Sequence, residues 1–251
     1  MKLRTLRALG ATAATVAVLA GTATQVAAAE PVTANAFASP TAYADYLEHS
    51  KEEGSRATLA AFQALSPDKQ SQFLHYLQDP SLYKDFLTAS TDEPSNVTAL
   101  TTNINRTVPL RNGDITFESE SVVSAPSAAA GGALPVGNHE VKRRNTIRVL
   151  GIPALSLSIW VQFHSNGSDI TEVIDADGAS QRVGLVIVSK EKAKKSRGTQ
   201  QFCRRGASCV GGHTAIASII WNVSSTTFAF DKKQTLTVSR NGTGTASLKN
   251  V

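Results

Sequence analysis

The chain has 251 residues, with 25 Lys and Arg against 20 Asp and Glu, 41 % apolar residues and 2 cysteines. This balance excludes a disordered, collagen-like or disulfide-dense chain and leaves room for a sizeable core in one or two domains. The net charge of +5 is mild, but it is unevenly spread.

Lys2, Arg4 and Arg7 open the chain without an acidic residue, and Leu9 to Ala20 is apolar apart from small Gly and Thr. Val26-Ala27-Ala28-Ala29 then offers the small residues that a signal peptidase reads. This pattern predicts a secretory signal peptide over residues 1–29, cleaved after Ala29. Its apolar part, about a dozen residues, falls short of the roughly 20 that span a bilayer. No transmembrane span is expected, and the location expected is extracellular.

Residues 30–100 carry 4 basic and 10 acidic residues, whereas residues 101–251 carry 18 basic and 10 acidic. Two halves of opposite sign suggest modules that attract each other or meet different partners. The acidic half reads as short helices. Ser39-Pro40, Ser66-Pro67 and Asp79-Pro80 each place an N-cap before a Pro at the first helical position. Apolar stripes follow at helical spacing: Tyr43, Tyr46 and Leu47; Leu59, Phe62 and Leu65; Phe73, Leu74 and Leu77; Leu82, Phe86 and Leu87. Gly54 is expected to end the first helix. Helices this short need a surface to pack on.

A polar linker is expected over residues 90–105. Strand signals begin after it, with Asn112-Gly113 as a type I′ hairpin turn between alternating runs. Residues 124–137, rich in Ala, Gly and Pro, read as a flexible loop. Val141 to Val149 and Leu155 to Phe163 alternate apolar and polar residues, with a turn at Asn166-Gly167 and another at Asp177-Gly178. Residues 183–188 read as a strand buried on both sides. Ala217 to Val223, Phe228 to Phe230, and Leu236 to Val238 before Asn241-Gly242 complete the set. The fold expected is α+β: a helical module over residues 30–89, then over residues 106–251 a basic antiparallel β-sandwich or small barrel.

Chemistry-bearing motifs are scarce. Cys203 and Cys209 enclose Arg204 and Arg205; in a secreted chain such a pair reads as a disulfide rather than a thiol nucleophile or a zinc site. His164 and His213 are isolated. Asp175-Ala176-Asp177-Gly178 is only a fragment of a calcium loop and reads as a turn. No catalytic residue, metal site or cofactor is assigned.

The basic run Lys190, Lys192, Lys194, Lys195, Arg197, Arg204 and Arg205, with the stripe Lys142, Arg144 and Arg148, is the one signal that points to a ligand. If the two groups share a side, they form a surface for anionic polymers or a cell surface; otherwise they are solvated charge. The acidic helices are a second candidate occupant, as are Glu118 and Glu120 for the stripe. The Ala/Thr/Val-rich leader, the Ser-Pro and Asp-Pro caps and the Ser165-Asn166-Gly167 hairpin before the paired-Cys loop resemble secreted proteins of high-GC Gram-positive bacteria with no assigned activity. That resemblance implies an extracellular location and nothing about catalysis. The function expected is non-enzymatic binding of anionic polymers. The alternatives are a protein-binding or protease-inhibitor module presenting the Cys203–Cys209 loop, and a secreted hydrolase whose helices form a prosegment.

Overall fold

The computed structural model describes residues 34–91, 98–99, 104–123, 133–184, 186–199, 202–203, 209–225 and 228–251. The expected leader lies outside them. Four helices come first: α1 (Pro40–His49), α2 (Ser55–Gln63), α3 (Pro67–Gln78) and α4 (Pro80–Thr91). The Ser39 hydroxyl accepts the Ala42 N–H at 3.2 Å and caps α1, and Ser66 caps α3 in the same way. The predicted stripes are the buried faces, with Tyr43, Leu47, Phe62, Phe73, Leu77, Leu82 and Phe86 all in the core.

Gly54 does not end α1, which stops at His49. It sits immediately before α2 at φ +85°, where a Cβ would lie 1.8 Å from the Gln181 side chain. Positive φ and a close neighbour both require glycine there.

The strands are β1 (Thr98–Ala99), β2 (Ile104–Leu110), β3 (Ile115–Val123), β4 (Val136–Val149), β5 (Ile152–Asn166), β6 (Ile170–Arg182), β7 (Ile187–Lys190), β8 (Lys194–Thr199), β9 (Phe202–Cys203), β10 (Cys209–Val210), β11 (His213–Ser224), β12 (Ala229–Ser239) and β13 (Thr243–Asn250). They build a five-stranded sheet, β2-β3-β4-β5-β6, and a six-stranded sheet, β1-β13-β12-β11-β7 with β8 also on β11. Every pairing is antiparallel. The fold is α+β with a β-sandwich-like arrangement. In a separate two-stranded ribbon, β9 pairs with β10 and sets Cys203 opposite Cys209.

Alternation sends Val141, Ile147, Leu157, Ile159 and Val161 of one sheet and Ala217, Ile219, Trp221, Leu236 and Val238 of the other into a common core. A polar relay crosses it: Trp221 Nε1 donates to Gln234 Oε1 at 2.9 Å, and Gln234 Nε2 donates to Asn145 Oδ1 at 3.0 Å.

Three local expectations give way to tertiary contacts. Asp177-Gly178 is no turn; it lies within β6, opposite Trp160 and Ile159. A Cβ on Gly178 would meet the Ser158 carbonyl at 2.6 Å and the Trp221 ring at 2.8 Å, so this glycine serves sheet packing. Residues 183–188 are not one strand: β6 ends at Arg182 and β7 starts at Ile187, with Val183 and Val186 buried in the connection. The Asn112-Gly113 hairpin has a longer loop than a type I′ turn, because Leu110 pairs with Ile115 and Arg111, Asn112 and Gly113 all take positive φ. Only part of the stretch expected to be a flexible loop is described. There β4 already begins at Val136, and buried Leu134 is held by Arg240 and Ser165.

The helices and sheets lie within one compact unit, Pro31–Val251. Phe86 packs at a tilt against Phe117 with centroids 5.8 Å apart, Tyr83 against Phe228 at 5.7 Å, and the Tyr43 hydroxyl donates to the Val183 carbonyl at 2.9 Å. Charge reinforces this contact through Arg111, which reaches Asp79 at 2.6 Å and Asp85 at 3.0 Å, and through buried Arg182, which reaches Glu52 at 3.1 Å. Tyr76 and Gln72 both donate to the Asp114 carboxylate. Neither Arg111 nor Arg182 belongs to the cationic set singled out in the sequence.

Candidate anion-binding face

The structure divides that cationic set between two sheets. Lys142, Arg144 and Arg148 alternate along β4 on the outward face of the five-stranded sheet. Two of them are matched: Arg148 reaches Glu118 at 2.6 Å and Arg144 reaches Glu120 at 3.8 Å. Those carboxylates sit on β3, whose register sets Glu120 opposite Arg144 and Glu118 diagonal to Arg148. Lys142 stands opposite Trp160.

The second group follows one edge of the other sheet. β7 and β8 act as a single edge strand along β11 with a bulge between them. Lys190 pairs with Trp221 and Lys194 with Ser218, so residues 191–193 face residues 219–220. The cations of this edge have two destinations. Lys190 Nζ bonds the Asp177 carboxylate at 2.6 Å and the Gly178 carbonyl at 2.5 Å. Lys195 donates to the Ile174 carbonyl, and Arg197 donates to the Thr171 carbonyl at 2.6 Å. All these acceptors belong to β6, the last strand of the five-stranded sheet. An open strand edge leaves carbonyls without partners, and Lys190, Lys195 and Arg197 satisfy three of them.

Lys192 and Lys194 instead line a shallow depression with Glu191, Ser218, Ile219, Ile220 and Lys233. The register extends this surface across the outward face of the six-stranded sheet. Ile220 is opposite Lys233, and Lys233 is opposite Lys249; Lys194 is opposite Ser218, Ser218 opposite Thr235, and Thr235 opposite Ser247. Among the described residues Lys192, Lys194, Lys233 and Lys249 are exposed and engage no carboxylate, while Glu191 alone brings negative charge into the depression. The carboxylate of Asp231, further along β12, accepts from Asn222 at 2.8 Å.

Lys233 and Lys249 were missed in the sequence. Lys233 follows Lys232, which points inward, is buried, and has its pKa lowered by that burial. Only strand alternation separates the two. Arg204 and Arg205 lie outside the described residues, as do the side chains of Cys203 and Cys209.

The histidines have structural partners. His213 Nδ1 is 2.6 Å from Asp169, whose other oxygen accepts the His213 backbone N–H at 2.9 Å. Burial pushes the Asp169 carboxyl up, but the bonds from His213 and Ile170 outweigh it and hold it below the usual range. His164 pairs with Asn138 at 2.8 Å. No group of three potential metal ligands occurs among the described residues, and no helix of the described residues is long and apolar enough to cross a membrane.

Such a face can attract anions and donate hydrogen bonds to them. Compared with protein-family models, with curated proteins and with solved structures, the chain matches none.

Proposed function

We propose that this is a secreted, non-enzymatic protein that binds anionic polymers through the outward face of its six-stranded sheet. One observation carries the reading: Lys192, Lys194, Lys233 and Lys249 share that face without internal carboxylate partners, while Arg144, Arg148 and Lys190 have theirs. Four lysines concentrate potential over a small area, and a polymer gains by releasing its counterions there. The leader-like residues 1–29 support export. Export implies that Cys203 and Cys209, opposite each other across β9 and β10, form a disulfide; the intact mass before and after reduction would differ by two hydrogens. The helices contribute Phe86 and Tyr83 to aromatic contacts with the strands, which favours a retained helical region over a shed prosegment.

Retention of the exported chain on immobilised linear polyphosphate tests the proposal. Retention should fall steadily with salt. The K192A/K194A/K233A/K249A variant should bind at least a hundredfold more weakly, while K195A/R197A should stay within threefold of the parent. Equal retention of the parent and the fourfold variant would reject this face as the site.

A further inference from the structure

We infer that the polymer bound on this face is a phosphodiester-linked polyol chain, lying across the strands rather than along them. This rests on the polyanion reading above and narrows it.

The first observation is a repulsive pair. Lys233 and Lys249 are directly opposite on neighbouring strands, at the separation where like charges destabilise a sheet. An anion bridging the two ammonium groups turns that repulsion into attraction. The second anion position is the depression of Lys192, Lys194 and Lys233. Lys233 belongs to both, so the two positions adjoin in the direction perpendicular to the strands. Neighbouring strands are about 4.8 Å apart, so a short polyol between two phosphates spans the step. All four cations are lysines. They act as point charges toward an anion, without the planar fork that Arg presents to carboxylates and phosphates alike.

The third observation concerns what lies beside the lysines. Ser218, Thr235 and Ser247 form a row across β11, β12 and β13, in register with Lys194. Their hydroxyls have no internal hydrogen-bond partner among the described residues, and each can both donate to and accept from a polyol hydroxyl. Tyr, Phe and Trp are missing from the described residues of this face: its positions on β11 read Thr214, Ile216, Ser218, Ile220 and Asn222, and the aromatic Trp221 points inward. A chain carrying bases would find nothing to stack on.

The test compares three probes of six phosphates each at fixed ionic strength by titration calorimetry: a glycerol phosphate hexamer, a 5′-phosphorylated thymidylate hexamer and a linear hexaphosphate. The glycerol phosphate oligomer should bind at least tenfold more tightly than the thymidylate oligomer. S218A/T235A/S247A should remove that preference and leave hexaphosphate affinity within twofold, with an unchanged unfolding midpoint confirming the fold. K233A/K249A should weaken all three. Equal affinity for glycerol phosphate and thymidylate, tighter binding of thymidylate, or a preference that survives the hydroxyl substitutions would overturn this inference while the polyanion reading stands. Failure of all three probes to bind would overturn both.

Discussion

The helical end of the molecule and the outward face of the six-stranded sheet use positive charge in opposite ways. At the helical end the two cations that join helices to strands are matched: Arg111 has Asp79 and Asp85, and buried Arg182 has Glu52 and the Val186 carbonyl. On the sheet face Lys192, Lys194, Lys233 and Lys249 are left to water. A buried cation must be paired because desolvation of a lone charge costs several kcal/mol. An exposed one carries no such penalty and is available to a partner. The β7–β8 edge holds both uses in one short segment, with Lys190, Lys195 and Arg197 turned to the edge of β6 and Lys192 and Lys194 turned away from it.

The comparison is broken most directly at the helical end. Phe86 is fully buried against Phe117, so Phe86→Ala should cost about 3–5 kcal/mol through lost burial and a residual cavity. Denaturant unfolding followed by helical circular dichroism and by tryptophan emission should shift together. Separate midpoints would mean that the helices are not part of the cooperative unit. Salt alone should move this midpoint little, since apolar contact is not screened and only the surface ion pairs are.

The edge strand sharpens the comparison at smaller cost. Lys195→Ala with Arg197→Ala removes two charged donors from β6 carbonyls. A bond of this kind contributes about 1.5–3 kcal/mol when buried; both side chains are exposed, and about 1 kcal/mol for the pair is expected after allowing for solvent screening. Lys192→Ala with Lys194→Ala should stay within about 0.5 kcal/mol. Equal losses from the two doubles would erase the distinction between sealing and binding cations. Smaller still, Lys249→Glu replaces a repulsive cross-strand pair by an attractive one. It should raise stability by about 0.5 kcal/mol at low salt, with the gain vanishing in molar salt. An unchanged or lower midpoint at low salt would mean that Lys233 and Lys249 do not repel.

Local pattern made most of the fold legible. The Ser-Pro caps and apolar stripes placed the helices, and strict alternation placed β4, β5 and β11, because each signal is a backbone or burial rule acting within a few residues. The failures came where distant residues decided. Gly178 reads as a turn glycine until Trp221 and Ser158 are brought against it. Arg111 takes a left-handed conformation in a lengthened loop, where its side chain engages helical carboxylates some thirty positions earlier. The candidate site was half legible. Lys192 and Lys194 stand in an obvious charge run, but a sequence does not reveal that alternate members of that run are consumed by β6. Lys249 depended on a register detail. A two-residue Asn241-Gly242 loop would set Lys233 opposite Asn250, whereas the Gly242 N–H bonds to the Ser239 carbonyl and Val238 pairs with Gly244, which sets Lys233 opposite Lys249. A shift of one residue decides which side chains share a face.

Acid should separate the two charge uses without any mutation, and this is the smallest effect expected. Burial pushes the Asp79 carboxyl up, but the hydrogen bonds from Arg111 and Ser81 outweigh it and hold it below the ordinary carboxylate range. A depressed folded pKa contributes stability that is present above the unfolded value, about 3.9, and is lost as pH falls through the folded value. The contribution is modest because Asp79 is partly exposed. Phosphodiesters keep their charge over this range, so polymer binding should persist wherever the chain is folded. The unfolding midpoint should therefore fall between pH 5 and pH 2, and Asp79→Asn, which cannot lose a charge, should flatten that fall. An Asp79→Asn protein as acid-sensitive as the parent would show that the Arg111–Asp79 contact adds nothing to the attachment of the helices.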